Sequence, residues 1–179
     1  MSCTRIYFHN INGIPAQDAA KWSHLPQHTH HSHTAIIGLA ETKLRLTVER
    51  RHQLIQTLKR WYPQHDLLHS HSTVPTTMEY LPGGVCSIIT GTWCGRITRR
   101  YTDSMGRWTA HTLVGKQGRQ LIFIFGYRVV QQDATTAAPP TAAREQWQML
   151  QQQGRHSETP RTAFLQDLET VHQGENGQP

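Results

Sequence analysis

Apolar residues along this chain alternate between short runs and helical spacing, which predicts strands interspersed with helices. Strands are expected at Ile6–His9, Ala35–Ala40, Asp66–His69, Val85–Ile89, Trp108–Val114 and Leu121–Phe125. The second of these runs is apolar on both faces, which indicates a central strand of a sheet covered on both sides. Trp108–Val114 alternates, as a half-exposed strand does, whereas the apolar run Leu121–Phe125 is continuous and is expected to be buried.

Three segments carry the spacing of helices that bury one face. The first is Leu44–Trp61 and the second is Ala142–Gln152. The third has Thr159 as its N-cap, Pro160 at its first position and Gly174 beyond its end. Helices and strands that alternate in this way predict an α/β (α+β) protein.

The chain has 179 residues and 36% apolar composition, enough for one packed core. We expect one domain over residues 1–173, with a surface loop at Asp133–Thr141 and a loose tail at residues 174–179. No apolar run is long enough to span a bilayer, and the N-terminus lacks a secretory signal, so we expect no membrane partner and an intracellular location, nuclear or cytoplasmic. Three Cys without a Cys-x-x-Cys pair argue against a disulfide framework.

The charge balance favours an anionic partner. Lys and Arg number 18 against 12 acidic residues, a net charge of +6. The densest basic segment carries Arg96, Arg99, Arg100 and Arg107, with Tyr101 and Trp108 interleaved. Such a segment suits the backbone of a nucleic acid. A solvated hairpin in a basic protein explains it equally well.

Histidines form a second unusual group at positions 24, 28, 30, 31 and 33. Pro, Gln, Thr and Ser lie among them, so the stretch Leu25–Thr34 is interpreted as a flexible polar loop. Binding of Zn²⁺, Ni²⁺ or Cu²⁺ is the alternative, although neither Cys nor acidic residues accompany these histidines. His65, His69 and His71 are expected at half-buried positions of a strand.

Glu41 is a candidate ligand for a hard metal ion, because it directly follows a buried strand. The alternative is a Glu in the first turn of a helix, stabilised by the helix dipole. Asn10 and Asn12 also follow a strand. If the two strands are parallel neighbours, these side chains and Glu41 lie together at one end of the sheet, where such folds gather sites.

Five stretches match motifs of one family in the family's order: His9–Gly13, Ala35–Lys43, Pro82–Val85, Gly106–Trp108 and Phe125–Val129. Together they resemble the endonuclease/exonuclease/phosphatase superfamily, and within it most closely the endonuclease domains of non-LTR retroelements. The resemblance covers residues 4–172. It implies a DNase-I-like four-layered β-sandwich flanked by helices, of which the first half is present.

The resemblance also implies roles for individual residues. Glu41 is the expected Mg²⁺ ligand, Asn10 lies beside the metal and its water, and Tyr127 hydrogen-bonds or polarises the phosphate. Asn12 stands where relatives also have Asp. Arg128 is a natural phosphate contact and joins Arg96, Arg99, Arg100 and Arg107 as an expected nucleic-acid-binding residue.

The second half of the family's catalytic set is missing from the sequence. The chain has neither the Gly-Asp-x-Asn motif nor the Ser-Asp-His motif. We therefore expect a truncated or degenerate Mg²⁺-dependent phosphodiesterase of retroelement origin that acts on nucleic acid, DNA rather than RNA. One alternative is a catalytically dead basic nucleic-acid-binding module. Another is an unstable fragment with an open sheet edge. The remainder of the domain would lie on another segment or chain.

Overall fold

The computed structural model of the chain describes residues 4–14, 19–74, 81–129 and 142–176. The chain divides into two compact units, Met1–Tyr127 and Arg128–Pro179. Among the described residues, two β-sheets, two α-helices and two short 3₁₀ helices form the first unit, and two further α-helices lie in the second. The expected mixed α+β fold with two sheets and helices is confirmed.

The first sheet has four strands: β1 (Arg5–Asn10), β2 (Thr34–Ala40), β3 (His65–Ser70) and β4 (Val85–Thr90). Their spatial order is β1-β2-β4-β3. β1 runs parallel to β2, with Asn10 opposite Ala40, and the other two pairings are antiparallel. The carboxyl ends of β1 and β2 therefore lie side by side, which is the condition for Asn10, Asn12 and Glu41 to share one sheet end.

The second sheet is antiparallel and has three strands in the order β5-β6-β7. They are β5 (Ile97–Thr102), β6 (Trp108–Val114) and β7 (Gln120–Gly126). A 3₁₀ helix, Gly91–Arg96, precedes β5, and a second, Lys116–Gly118, lies between β6 and β7. Of the four arginines of the basic segment, Arg99 and Arg100 thus lie on β5, whereas Arg96 ends the first 3₁₀ helix and Arg107 lies in the turn before β6.

Burial in this sheet is the reverse of what the sequence predicts. β6 is buried along its length except for Val114, and only Phe125 of β7 is fully buried, while Leu121 and Ile124 are exposed. Both expectations were wrong because β6 is the central strand and β7 is an edge strand. Thr and His residues fill the polar positions of β6 without being solvated.

Helices α1 (Ala19–His31) and α2 (Val48–Trp61) belong to the first unit. Leu54 and Leu58 of α2 pack against Ile37, Leu39 and Leu67 of the first sheet. The sequence predicts that this helix begins at Leu44, soon after Glu41, but the structure shows a later start. α2 begins at Val48, after the N-cap Thr47.

The His-rich segment is helical as far as His31, so the prediction of a loop there was wrong. The hydroxyl of Tyr62 donates a buried hydrogen bond to Thr29 Oγ1 (2.7 Å). The ring of His30 contacts those of Trp61 and Tyr62. Contacts with Trp61 and Tyr62 therefore stabilise a helix of mostly polar residues, even though Pro26 lies inside it.

The two sheets pack face to face through Ile36, Val85, Ile89, Leu113 and Phe125. Gly38 of β2 permits their close approach, because a Cβ atom at this position would lie 2.0 Å from the Phe125 ring. Any side chain larger than hydrogen would push β7 away from the first sheet.

A polar cluster lies between the sheets as well. Thr109 donates a hydrogen bond to Ser87 Oγ (2.8 Å), and the Ser87 hydroxyl is 2.9 Å from His111 Nε2. His111 Nδ1 is 3.7 Å from an Asp66 carboxylate oxygen. Burial lowers the pKa of His111 to about 4, although Asp66 acts in the opposite direction. His111 is therefore a neutral partner that joins β4 to β6.

The second unit contains α3 (Ala142–Gln152) and α4 (Pro160–Asn176). The Thr159 hydroxyl accepts a hydrogen bond from the Thr162 amide (3.2 Å), as an N-cap does. Gly174 does not end α4, which continues to Asn176. The expected loop at residues 133–141 and the last three residues of the expected tail lie outside the described residues.

Among the described residues, no helix combines the length and hydropathy required to cross a membrane. Cys86 and Cys94 are free thiols, and burial raises the pKa of Cys86 to about 12.

Candidate functional site

The loops that follow β1 and β2 run together beyond the ends of the strands. Three backbone hydrogen bonds join them, from Ile11 N to Ala40 O (3.1 Å), from Gly13 N to Glu41 O (2.7 Å) and from Ile14 N to Thr42 O (2.9 Å). The pairing of the two parallel strands thus extends through both motif loops, so the backbones of Asn12 and Glu41 have defined positions.

Further backbone hydrogen bonds connect these loops to the other three motif stretches. Lys43 N donates to Gly83 O (2.7 Å), Gly84 N donates to Gly106 O (3.1 Å), and Tyr127 N donates to Arg107 O (2.7 Å). The Gly84–Gly106 bond links the first sheet to the second. All five motif stretches therefore belong to one hydrogen-bonded cluster at a single end of the two sheets.

Several non-glycine residues in this cluster have a left-handed backbone. The φ angles are 46° at Asn12, 53° at Glu41 and 52° at Lys43. Residues with a Cβ rarely adopt this conformation, which costs about 1–2 kcal/mol each, and such residues cluster at functional sites. Glu41 lies well before the first turn of α2, so its interpretation as a helix N-terminal residue was wrong.

Glu41 and Tyr127 meet although they are 86 positions apart in sequence. The Tyr127 hydroxyl donates a hydrogen bond to Glu41 Oε1. Burial, together with this hydrogen bond and the carboxylate charge, raises the pKa of Tyr127 far above its ordinary value. Tyr127 is therefore a protonated donor at neutral pH, held by the carboxylate that is the expected metal ligand.

Asn10 and Asn12 lie at the same sheet end. Asn10 Oδ1 accepts a hydrogen bond from the Asn12 amide (3.1 Å), and Asn12 Oδ1 accepts one from Lys43 Nζ (2.5 Å). Asn10 thus stabilises the turn after β1, and Asn12 binds an ammonium group. Lys43 follows Glu-Thr in the same motif, but nothing in the sequence alone indicates this contact with Asn12.

Thr42 connects the turn that contains Glu41 to β3. Its hydroxyl is 3.1 Å from His69 Nε2, and the His69 ring stacks on His71 with a 5.2 Å separation between centroids. Burial, and secondarily the proximity of His71, lowers the pKa of His69 to about 3. A Cβ at Gly84 would lie 2.4 Å from Thr42 Oγ1, so this turn requires glycine.

The oxygen atoms at this sheet end are of the type that a hard cation binds. Glu41 supplies a carboxylate, and Mg²⁺ is often held through one or two carboxylates, with its other positions on water or phosphate oxygens. Across the ranges that the structure describes, no group of three His, Cys, Asp or Glu residues could hold a metal ion. A site at Glu41 therefore needs further oxygen ligands of other kinds, from side-chain amides, backbone carbonyls, water or a bound phosphate.

Arg107, an expected nucleic-acid-binding residue, is buried and ion-paired, so its side chain is not exposed to a phosphate backbone. Its Nε and Nη2 atoms donate to the Asp103 carboxylate at 2.9 and 2.8 Å, and both side chains are buried. The Asp103 carboxylate also accepts from the Arg107 backbone amide (2.9 Å). Asp103 and Arg107 are four residues apart in the sequence, and this spacing within a turn is the sequence signal that the two side chains can pair.

The other expected basic residues differ in their surroundings. Arg100 pairs with Asp66 on β3 (2.7 Å) and so links the two sheets. Arg96 is exposed, and its guanidinium lies 5.2 Å from the centre of the Trp93 ring. Arg99 is partly buried on β5, and Arg128 is exposed in the second unit. Arg96, at the end of the 3₁₀ helix before β5, and Arg100 are thus both exposed, and Arg100 is engaged by Asp66.

Similarity to solved structures confirms the fold class. The chain resembles the AP endonuclease LMAP from Leishmania major with a TM-score of 0.51 and 12% identity, over 70% of this chain and 40% of that one. It also matches an endonuclease/exonuclease/phosphatase family protein from Leptotrichia buccalis C-1013-b, with a TM-score of 0.48 and 12% identity, over 70% of this chain and 53% of that one. The chain thus spans about half, or less, of the length of these proteins.

No protein-family model matches the chain, and no curated protein sequence matches it. At 12% identity the likeness to the AP endonuclease concerns the fold alone. It supports the DNase-I-like architecture expected from the five motif stretches.

Proposed function

We propose that this chain is a degenerate Mg²⁺-dependent phosphodiesterase of the endonuclease/exonuclease/phosphatase type, truncated and of retroelement origin, that binds the backbone of nucleic acid, DNA rather than RNA. The observation that carries the proposal is the hydrogen bond from Tyr127 to Glu41, which joins two residues of separate motifs. The order of the five motif stretches along the chain supports the retroelement origin.

The side chains at this sheet end suit a phosphodiester. The Lys43 ammonium group carries three N–H donors, one of which is directed to Asn12, so it can donate to phosphate oxygens. Tyr127 has one O–H, which it donates to Glu41, and it would donate to a phosphate only when a bound cation takes over that carboxylate oxygen. Glu41 would hold Mg²⁺, which neutralises phosphate charge when bound. Asn10 keeps the adjoining turn in place.

Hydrolysis needs a positioned nucleophile in addition to charge neutralisation. Of the five Asp residues, the structure describes three, and each forms an ion pair: Asp66 with Arg100, Asp103 with Arg107 and Asp167 with Arg155. Asp18 and Asp133 lie outside the described residues. Within the described part of the chain, no Asp is placed to position a water molecule, so we expect negligible hydrolysis.

A catalytically dead nucleic-acid-binding module is the second candidate, and one observation favours it. Lys43 Nζ lies 2.5 Å from Asn12 Oδ1, at the position where relatives also have Asp. An ammonium group there attracts a phosphate without any metal ion and repels a divalent cation.

Plasmid nicking and duplex binding with and without Mg²⁺ test these proposals. Supercoiled plasmid incubated with the protein and Mg²⁺ should remain supercoiled. Duplex affinity should rise with Mg²⁺, and Glu41→Gln should abolish that rise while Glu49→Gln, an exposed carboxylate on α2, should not.

The possible outcomes separate the two candidates. Affinity that is equal with and without Mg²⁺ but lost in Lys43→Ala supports the dead binding module instead. Nicking that disappears in Glu41→Gln shows that the residual site is sufficient for hydrolysis. Absence of duplex binding under both conditions rejects both candidates.

A further inference from the structure

The helical form of the His-rich segment brings three histidines onto one side of α1. Successive residues of an α-helix are rotated by about 100°, so positions three or four apart lie on the same side. His24, His28 and His31 follow that spacing, and all three are exposed. We call these three residues the histidine stripe. The loop that the sequence predicted for this segment would not align them.

The other side of α1 packs against the rest of the first unit. Pro26 and Thr29 are buried, and Thr29 Oγ1 accepts the hydrogen bond from the Tyr62 hydroxyl. The ring of His30 contacts those of Trp61 and Tyr62 on the side of α2. These contacts fix the rotation of α1 about its axis, so the histidine stripe is directed to the surface.

The imidazole of His31 is held in one tautomer. Its Nδ1 atom lies 2.6 Å from the carbonyl oxygen of Gln27, one turn earlier in the helix. A carbonyl only accepts, so in the neutral ring Nδ1 carries the proton and Nε2 carries the lone pair. Histidines that bind metal ions typically donate their other ring N–H to a carbonyl or carboxylate, which fixes the orientation of the ring. His31 therefore has the arrangement of a metal-binding imidazole with Nε2 as its ligand atom.

His28 lies one helix turn before His31 and supplies a second imidazole. Side chains of a helix lean towards its N-terminus, and residues three apart have Cβ atoms about 5–6 Å apart, so the His31 ring lies over the turn that contains His28. The His28 ring packs edge-on against Tyr7 of β1, with 5.9 Å between centroids. Metal ligands at spacings of three and four occur together on helices that hold metal ions.

We propose that His28 and His31 bind one divalent transition-metal ion of the class of Zn²⁺, Ni²⁺ and Cu²⁺. Imidazole nitrogen suits these ions, whereas Mg²⁺ prefers oxygen. Within the part of the chain that the structure describes, no group of three His, Cys, Asp or Glu residues could hold a metal ion. The two imidazoles therefore bind the ion with water at its remaining positions.

An ion at this pair stabilises α1. Pro26 lies inside the helix and cannot donate a backbone hydrogen bond, which weakens the turn around it. A ligand that binds the folded helix and joins two of its residues shifts the equilibrium towards the helical form. The site is separate from Glu41 in position and in ligand chemistry, and it does not rest on the proposed function.

Nuclear magnetic resonance of the histidine ring nitrogens in the whole chain, with Zn²⁺ as the probe, tests the proposal. Zn²⁺ should shift the Nε2 resonance of His31 and one ring nitrogen of His28, while Nδ1 of His31 keeps its proton on the Gln27 carbonyl. This measurement needs no variant. It reports which atoms bind the ion.

Variants measure the contribution of each ring. His28→Gln and His31→Gln should each weaken Zn²⁺ binding by about tenfold or more, because the loss of a mere outer-shell partner already costs about 10–100-fold. His33→Gln changes an exposed histidine in the turn after α1 and is the matched control, which should keep the wild-type affinity. Glutamine is a good helix former, so these exposed substitutions should leave the far-ultraviolet circular dichroism unchanged.

The choice of ion and the pH give further expectations. Calorimetry should show that Cu²⁺ binds more tightly than Ni²⁺ or Zn²⁺, as it does at nitrogen sites in general. Excess Mg²⁺ should not displace Zn²⁺. Acidification should release the ion, because a protonated imidazole has no lone pair to offer.

Several results would overturn the proposal. Ring nitrogens of His28 and His31 that do not respond to Zn²⁺ exclude the site, and so does displacement of Zn²⁺ by Mg²⁺. An equal loss of affinity in His33→Gln shows binding that is spread over the segment. A loss in His24→Gln without one in His31→Gln shows that the ion uses the preceding turn, which rejects the assigned pair.

The experiment is independent of the one that tests the proposed function. Zn²⁺ binding at α1 is read at the histidine rings, whereas the effect of Mg²⁺ on duplex affinity is read in Glu41→Gln. Either result can therefore fail without the other.

Discussion

The Asp103 carboxylate accepts hydrogen bonds from two nitrogen atoms of the Arg107 guanidinium, Nε and Nη2, within the turn between β5 and β6. The carbonyl of Arg107 in turn accepts the hydrogen bond from the Tyr127 amide (2.7 Å). Arg107 therefore positions Tyr127 through its backbone, because the ion pair with Asp103 fixes the turn whose carbonyl binds the Tyr127 amide.

We expect Asp103→Ala to destabilise the protein strongly. Removing one partner of a buried ion pair leaves an uncompensated charge and costs about 3–5 kcal/mol. Arg100→Ala, which breaks the more exposed pair with Asp66, should cost about 1 kcal/mol or less. Urea unfolding of the two variants measures both values, and equal losses would show that the Asp103–Arg107 pair contributes no more than a surface pair.

Gly84→Ala should destabilise the protein more than Gly118→Ala. Both glycines have a positive φ, at 87° and 72°, so both variants incur backbone strain of about 1 kcal/mol. Only at Gly84 does the new Cβ collide with Thr42, since nothing lies within 4 Å of a Cβ at Gly118. Thermal unfolding monitors the difference. A Gly84→Ala protein as stable as Gly118→Ala would contradict the close packing of Thr42.

Among the tyrosines that the structure describes, Tyr127 should ionise last. Its pKa is raised by burial and by Glu41, so the stability it contributes is complete below about pH 10 and is lost as pH rises beyond that value. Tyrosinate absorbance of the wild type minus that of Tyr127→Phe gives its titration directly. In Glu41→Gln the Tyr127 pKa should fall, and an unchanged value would contradict the hydrogen bond.

Stability should decline as pH falls below the ordinary histidine range. Burial lowers the pKa of His111 to about 4 and that of His69 to about 3, so the unfolded state binds more protons at acidic pH. The stability from these neutral histidines is present above about pH 6.5 and is lost as pH falls towards those lower values. Urea unfolding at several pH values between these limits gives the free energy of unfolding as a function of pH. This free energy should depend less steeply on pH in His111→Gln than in the wild type, and an equal dependence would contradict the prediction.

Arg96→Ala should lower the salt dependence of duplex binding. Each neutralised phosphate contributes about one to the slope of log affinity against log salt concentration, and Arg96 is an exposed arginine at the end of the 3₁₀ helix that precedes β5. Arg60→Ala, an exposed arginine near the end of α2, serves as the control and should leave the slope unchanged. Fluorescence anisotropy with two unrelated duplexes should show the same loss for both. A loss confined to one duplex would contradict backbone recognition.

Local sequence predicted most of the strands because their apolar runs are short and bounded by Gly and polar residues. It also predicted that the ends of β1 and β2 carry Asn10 and Glu41, since this follows from two runs in a parallel pair. Position within the sheet was harder to predict. The alternation of β6 matches that of a solvated strand, but the Thr and His side chains bind one another between the sheets.

The ion pairs of two of the arginines were hard to predict for a related reason. The sequence shows that Arg100 is basic, whereas its ion pair depends on Asp66, which only the folded chain brings close to it. The burial of the Asp103–Arg107 pair likewise follows from the folded chain. The helix at the His-rich segment was missed because Thr29 and His30 are stabilised by Tyr62 and Trp61 of a later element. Tertiary contacts override local propensity in both cases.

The separation of 86 positions between Glu41 and Tyr127 has a consequence for synthesis on the ribosome. A nascent chain that has released only the first sheet already carries Glu41, Asn10 and Asn12, but not the phenol that binds the carboxylate. Contacts between distant segments form late, because the loop between them must close first. Ordering of Tyr127 therefore reports that both sheets have assembled, and a fluorophore near this residue would follow completion of the unit during translation.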